Sequence, residues 1–177
     1  MLDDGRVLKF DYRGAPQTVS VMRRAAMEAQ GSMPVREFCE DLCQGIDSKD
    51  YLSEYLAVYH ACLCRCRYMR DPRTVELVRA PYLIAAELLR GGRPSIDCDD
   101  YAAFIAACVM SMGGTARLVT VAFRDQFFEG RRQYSHVFCE ALEPRTQQWI
   151  VLDPVAAERT KKMLRDVRAS KFWAVGN

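Results

Sequence analysis

Apolar and polar positions alternate at the start of the chain, Val7-Leu8-Lys9-Phe10-Asp11-Tyr12, which predicts a short strand or extended arm broken by Gly14-Ala15-Pro16. The period then lengthens. From Thr18 or Ser20, Val21, Met22, Ala25, Ala26 and Ala29 keep helical spacing until Gly31. Pro34 suits the first turn of a second helix to about Cys43, striped by Val35, Phe38, Cys39, Leu42 and Cys43 and stopped by Gly45. A third helix begins near Ser48 or Asp50 and runs to about Cys64, with Leu52, Tyr55, Leu56, Tyr59 and Leu63 as its expected buried face. Asp71-Pro72 punctuates, and Val75, Leu77 and Val78 lead to a helix over Pro81–Arg90.

After the loop Gly91-Gly92-Arg93-Pro94 the texture changes. Asp97 to Met112 reads as one strongly apolar helix closed by Gly113-Gly114. Arg117–Phe123, Ser135–Leu142 and Gln148–Leu152 read as strands, with a polar turn region over Asp125–Arg132 and a stop at Asp153-Pro154. Ala156 to Arg168 reads as a basic helix. No repeat or linker interrupts the chain. The expectation is one α+β domain over 1–177: a helical part about 18–90, a core about 91–155 with a helix packed on a small antiparallel sheet, and a basic tail 156–177.

Composition narrows the function classes. The chain has 177 residues, half of them hydrophobic and 27% charged, which argues against a disordered or collagen-like polymer. A formal net charge of +2 leaves no electrostatic footprint for nucleic acid. No apolar run approaches the ~18–20 residues needed to span a bilayer, so no membrane span is expected. Met1-Leu2-Asp3-Asp4 is acidic where a signal peptide is basic, so cytoplasmic synthesis without a signal peptide is expected. In a reducing compartment the eight cysteines do not read as four disulfides. Cys39 and Cys43 are four apart on a predicted helix, as are Cys62 and Cys66, so each pair would face one way. If those helices are antiparallel neighbours, four thiolates could converge on zinc or an iron–sulfur cluster, although the spacing is not that of a zinc knuckle. Buried thiols and disulfides are the other readings, and burial is the ordinary fate of a free cysteine.

One constellation carries chemistry. Cys98 stands at the mouth of the long apolar helix, where free N–H groups favour a thiolate, while Asp97, Asp99 and Asp100 oppose it. His136 opens the second predicted strand and Asp153 closes the third. If those strands pair antiparallel, the two lie side by side at one edge. Asp153 could then fix one ring nitrogen while the other faces Cys98, the orienter–base–nucleophile order of thiol hydrolases and acyltransferases. Each residue alone has a plainer reading: a buried helix-start cysteine, a strand-edge histidine, an Asp-Pro turn. Cys139, an odd step from His136, points to the opposite face of its strand. His60 on the third helix reads as a satisfied core or boundary residue.

Three segments, Asp97-Cys98-Asp99-Asp100, Gly114-Thr115-Ala116-Arg117-Leu118-Val119 leading to His136, and Trp149-Ile150-Val151-Leu152-Asp153-Pro154, resemble the transglutaminase-like superfamily, relatives of papain-type cysteine peptidases. The resemblance spans roughly Arg67 to Val155. Ser95-Ile96 stand where members often carry glycine, and Ser135-His136-Val137-Phe138 replaces a frequent His-Ala-Trp. Tyr68-Met69-Arg70-Asp71-Pro72 and Glu76-Leu77-Val78-Arg79-Ala80-Pro81 are similar to the approach in phage and prophage members. The resemblance implies a papain-like core with Cys98 as nucleophile, His136 as base and Asp153 as orienter, no cofactor, and an amide hydrolase or peptidase. By analogy it would act in a phage tail or virion on peptidoglycan or a structural protein. The other implied role is a non-catalytic tail or baseplate component that docks through the same fold. The apolar-basic tail (Arg159, Lys161, Lys162, Arg165, Arg168 and Lys171 around Met163, Leu164, Val167, Phe172 and Trp173) is either a partner-docking segment or a solvated helix folded back on the domain.

Overall fold

A computed structural model describes residues 7–10, 14–71, 76–123, 127–128, 131–132, 134–155 and 167–176. Five helices and a small antiparallel sheet result. Helices α1 (Ala15–Ala29), α2 (Met33–Leu42), α3 (Tyr51–Arg65) and α4 (Pro81–Leu89) surround α5 (Cys98–Ser111). Pro16, Pro34 and Pro81 stand in the first turns of α1, α2 and α4, where a missing N–H costs nothing. Asp50 caps α3 by accepting from the Ser53 backbone N–H and hydroxyl.

The order of α5 follows from its composition. Ala102, Ala103, Ala106 and Ala107 are strong helix formers with small side chains, so other elements approach it closely on every side. Every residue from Asp99 to Val109 is buried. The helix ends in a Schellman turn. Gly113, at φ +82°, donates to the Met110 carbonyl, and Gly114 donates to the Val109 carbonyl. Gly114 also makes room for Tyr55: a β-carbon there would collide with the Tyr55 hydroxyl, which donates to the Leu142 carbonyl.

The sheet has strand order β10-β5-β8-β9, comprising β5 (Thr115–Phe123), β8 (His136–Glu143), β9 (Gln148–Leu152) and β10 (Val167–Val175), every neighbour antiparallel. Alternation divides its faces. Ala116, Leu118, Val137, Cys139, Ala141 and Leu152 join α5 and the other helices in the main core. Val119, Val121 and Phe138 form a second cluster on the opposite face, with Phe123 and Val167 against it. Shorter pairings complete the chain: β1 (Val7–Phe10) with β3 (Glu76–Arg79), parallel β2 (Arg67–Tyr68) with β4 (Ser95–Ile96), and β6 (Phe127–Phe128) with β7 (Arg131–Arg132).

Three expectations change. The C-terminal segment is not helical where it is described: Val167–Val175 is a nine-residue edge strand on β5, and 156–166 lies outside the described residues. Val167, Ala169, Trp173 and Val175 are its more buried positions, a period of two that the basic residues conceal. Helix α3 is rotated from its expected face. Tyr55, Val58, Ala61 and Cys62 are buried, whereas Leu56 is exposed. Its sequence is apolar nearly all round, so close approach of the small residues, not side-chain size, selects the face. The strand or arm expected over Val7–Tyr12 is described as β1 (Val7–Phe10), whereas the two-residue strands β2, β4, β6 and β7 carry no periodicity by which to be expected. The expected turn region over Asp125–Arg132 holds β6 and β7 and otherwise lies outside the described residues.

Candidate active site

The three residues singled out in sequence come from three elements. Asp97 is the N-cap of α5 and Cys98 its first residue. His136 is the first residue of β8, opposite Val121 of β5. Asp153 follows the last residue of β9, just past the Leu152–Cys139 pair. Pro154 cannot donate to a continuing ladder, so the chain turns and the Asp153 side chain is released toward the start of β8. His136 Nε2 and Asp153 Oδ2 are 2.7 Å apart, with side chains 9% and 2% exposed. A carboxylate only accepts, so Nε2 carries a hydrogen, and in the neutral imidazole the lone pair is on Nδ1. The imidazole ring lies between Phe123 and Phe138, with centroids 6.5 Å and 6.1 Å away. Two aromatic neighbours and one hydrogen-bonding carboxylate hold it in a single orientation.

The Cys98 thiol accepts from the backbone N–H of Val137, the residue after His136. The start of α5 and the start of β8 therefore meet at the sulfur. Burial pushes the thiol well above its ordinary value, and the charges of Asp97, Asp99 and Asp153 push the same way, outweighing the Val137 hydrogen bond. Cys98 rests as a neutral thiol. The acidic residues around it are largely engaged with backbone: Asp100 accepts from Arg79 N–H at 2.7 Å, and Asp99 from Asp100 N–H at 3.0 Å. Burial, with the charges of Asp97 and Asp71, raises the Asp100 carboxyl to about 8. Among the described residues, Asp97, Asp99 and Asp100 are the one group of three potential metal ligands whose atoms all lie within 4.8 Å of one another.

The four cysteines weighed as a metal set are not drawn into one site. The Cys39 thiol points to the Cys108 carbonyl at 3.8 Å, and Cys43 to the Met112 sulfur at 3.6 Å. Cys62 donates to Cys66. Burial, then the charge of Glu54, pushes the Cys43 thiol up to about 11. All eight cysteines are free, and Cys64 is exposed. Cys139 faces the main core, away from His136. His60 is an exposed residue edge-on to Tyr59, not a core histidine.

Sequence reasoning gave Tyr68-Met69-Arg70 only a likeness to phage members and no place beside Cys98. Backbone bonds from Arg67 N to Pro94 O (2.8 Å) and Met69 N to Ile96 O (3.0 Å) lay the strand after α3 alongside the approach to Cys98. Tyr68 and Arg70 both interact electrostatically with the Cys98 sulfur. The only signal for this was the run Tyr68-Met69-Arg70 itself.

No family model and no curated protein matches the chain. Among solved structures, a protein from Cytophaga hutchinsonii described as a "putative cysteine protease" aligns over 97% of this chain at a TM-score of 0.50 and 14% identity. The chain spans 58% of that structure's length. At this identity the likeness is one of fold: a mixed helix and sheet architecture compatible with a papain-like core. Among the described residues no helix is long and apolar enough to cross a membrane.

Proposed function

We propose that this chain is a cysteine-dependent amide hydrolase of the transglutaminase-like type, with Cys98 as nucleophile, His136 as general base and Asp153 as orienter. The observation that carries this reading is the buried 2.7 Å bond between His136 Nε2 and Asp153 Oδ2, formed where β8 brings the Val137 N–H onto the Cys98 sulfur. The bond leaves Nδ1 as the proton acceptor. The resting thiol is neutral, so the proton moves from sulfur to Nδ1 as sulfur attacks the carbonyl carbon. The Cys98 backbone N–H in the first turn of α5 is a donor for the developing oxyanion. Imidazolium returns the proton to the departing amine, and water, deprotonated by the same ring, releases the acyl group.

The similarity of the Tyr68–Pro81 stretch to phage members supports a virion or prophage setting, with peptidoglycan or a structural protein as substrate. A second reading has one observation in its favour. The acidic surroundings that raise the Cys98 thiol suit a non-catalytic tail or baseplate component that keeps the fold for docking.

Acylation separates the two. Incubation with 4-nitrophenyl acetate, followed by peptide mapping, is expected to place the acetyl group on Cys98. His136→Ala is expected to slow this at least about 100-fold, the usual scale of general-base catalysis. Acylation spread over exposed Cys64, or unchanged by His136→Ala, overturns the enzyme reading.

A further inference from the structure

The sulfur of Cys98 lies in the field of several acids. Asp97, Asp99 and Asp153 all act on it, and Asp97 and Asp71 in turn act on Asp100. A substrate carrying a negative charge beside its scissile carbonyl would be repelled unless a cation stood at the open side. Arg70 stands there. In the parallel pairing of β2 and β4, Arg67 is opposite Ser95 and Tyr68 opposite Ile96. The Met69 N–H to Ile96 O bond closes the Tyr68–Ile96 pair, so Arg70 and Cys98 each lie two residues beyond that last pair on their own segments. Tyr68 is 42% exposed and Arg70 is exposed, so this arm forms the solvent side of the site. Arg70 Nε donates to the Tyr68 hydroxyl at 3.3 Å. That bond uses the inner nitrogen and leaves the two terminal nitrogens, a planar fork that matches a carboxylate. Among the described residues no carboxylate pairs with Arg70, whereas Arg24, Arg79, Arg117 and Arg145 each have one.

The geometry points to Arg70, oriented by Tyr68, as the residue that reads a free carboxylate on the substrate within a few bonds of the reacting carbon. The substrate class is then an amide flanked by a free carboxylate, as at a peptide C-terminus or beside an acidic side chain. This inference rests on Cys98 being the nucleophile of the proposed hydrolase.

Iodoacetate and iodoacetamide test it, because they differ only in that charge. Each forms a bond from sulfur to its methylene carbon and expels iodide, with the thiol proton lost to solvent. Rates at Cys98 are read by peptide mapping and expressed as the iodoacetate-to-iodoacetamide ratio. The thiolate fraction cancels in that ratio, so any change in Cys98 acidity drops out. Relative to N-acetylcysteine, the wild-type ratio is expected to be raised roughly tenfold, the effect of a guanidinium a few ångströms from a carboxylate in a partly screened site. Arg70→Gln is expected to return it to the free-thiol value, and Arg70→Lys to retain part of it. In wild-type protein the ratio is expected to fall as NaCl rises from about 0.05 to about 0.5 M, a readout that needs no variant. A wild-type ratio at or below that of N-acetylcysteine, or one unmoved by both Arg70→Gln and salt, overturns the assignment while leaving Cys98 reactive. If neither reagent modifies Cys98 ahead of the other cysteines, the hydrolase reading falls and this inference with it.

Discussion

Asp97 is the side chain whose charge weighs most on the Cys98 sulfur, after burial itself. Its Oδ1 is buried without a hydrogen-bond partner, so it has little to offset its field. Asp97→Asn keeps the shape of the N-cap and removes the charge. The expected outcome is an iodoacetamide profile at Cys98 whose midpoint moves to lower pH, measured by peptide mapping with Cys64→Ser to remove the exposed competitor. A midpoint that stays in place, or rises, would show that burial alone sets the thiol. The residue scale is also where the sequence was most legible. Cys98, His136 and Asp153 could be named from spacing because each stands at an element boundary, and boundaries are marked by Asp, Pro and a change of period. Arg70 was not legible as a neighbour of Cys98. Its position depends on a two-residue parallel bridge between segments almost thirty positions apart, and no local pattern encodes such a bridge.

Between α5 and β5 the chain has three residues, Met112, Gly113 and Gly114, in which to turn and must also admit Tyr55. Gly114 meets both needs. Gly114→Ala would drive a methyl group into the Tyr55 ring and Val109, and Tyr55 is fully buried and held to Leu142. The expected cost is about 1–3 kcal/mol, the usual range for overpacking, read as a lower urea midpoint at unchanged slope. An unchanged midpoint would mean that Tyr55 can withdraw. A second element-scale prediction concerns the edge strand. The Arg117 guanidinium lies 3.9 Å from the Trp149 ring centroid and 4.2 Å from that of Phe172, and pairs with Glu140 at 2.6 Å. It thereby ties β10, β5, β8 and β9 together across one face. Arg117→Ala removes both stacking contacts and leaves Glu140, 8% exposed, without its cation. A loss of about 2 kcal/mol is expected, with earlier amide exchange in β10 than in β8. Equal exchange in the two strands would remove the clamp from the account. The basic helix expected over Ala156–Arg168 overlaps the edge strand only at Val167 and Arg168. The strand's true period of two is carried by Val167, Ala169, Trp173 and Val175, which only the finished sheet shows to be one face.

At the scale of the molecule, the acids behind the site couple stability to pH. Burial, offset by the bond from Leu77 N–H, raises Asp71 to about 6, and burial with the charges of Asp97 and Asp71 raises Asp100 to about 8. Both stand above the unfolded aspartate value near ~3.9. A group raised in this way holds its proton longer when folded, so the native state binds more protons than the unfolded one across the interval. Stability from these groups is fully present below about pH 4 and is lost as pH rises through about 6 and then about 8. Glu143 acts in the opposite sense. Hydrogen bonds from Thr146 and Arg145 hold it down to about 2, so its contribution is present above the unfolded glutamate value near ~4.3 and fades as pH falls toward about 2. The two trends cross in mildly acidic solution. The urea midpoint is therefore expected to fall steadily from pH 5 to pH 8, and Asp100→Asn should flatten the upper part of that decline, because an amide accepts from Arg79 N–H without having to ionise. A midpoint that rises with pH over this range, or an Asp100→Asn slope parallel to wild type, would remove the buried acids as its cause. The same interval governs the site. Ionising Asp100 adds negative charge to the acids already crowded at the start of α5. In the proposed mechanism this added charge opposes thiolate formation at Cys98, and Arg70 is the cation proposed to offset it.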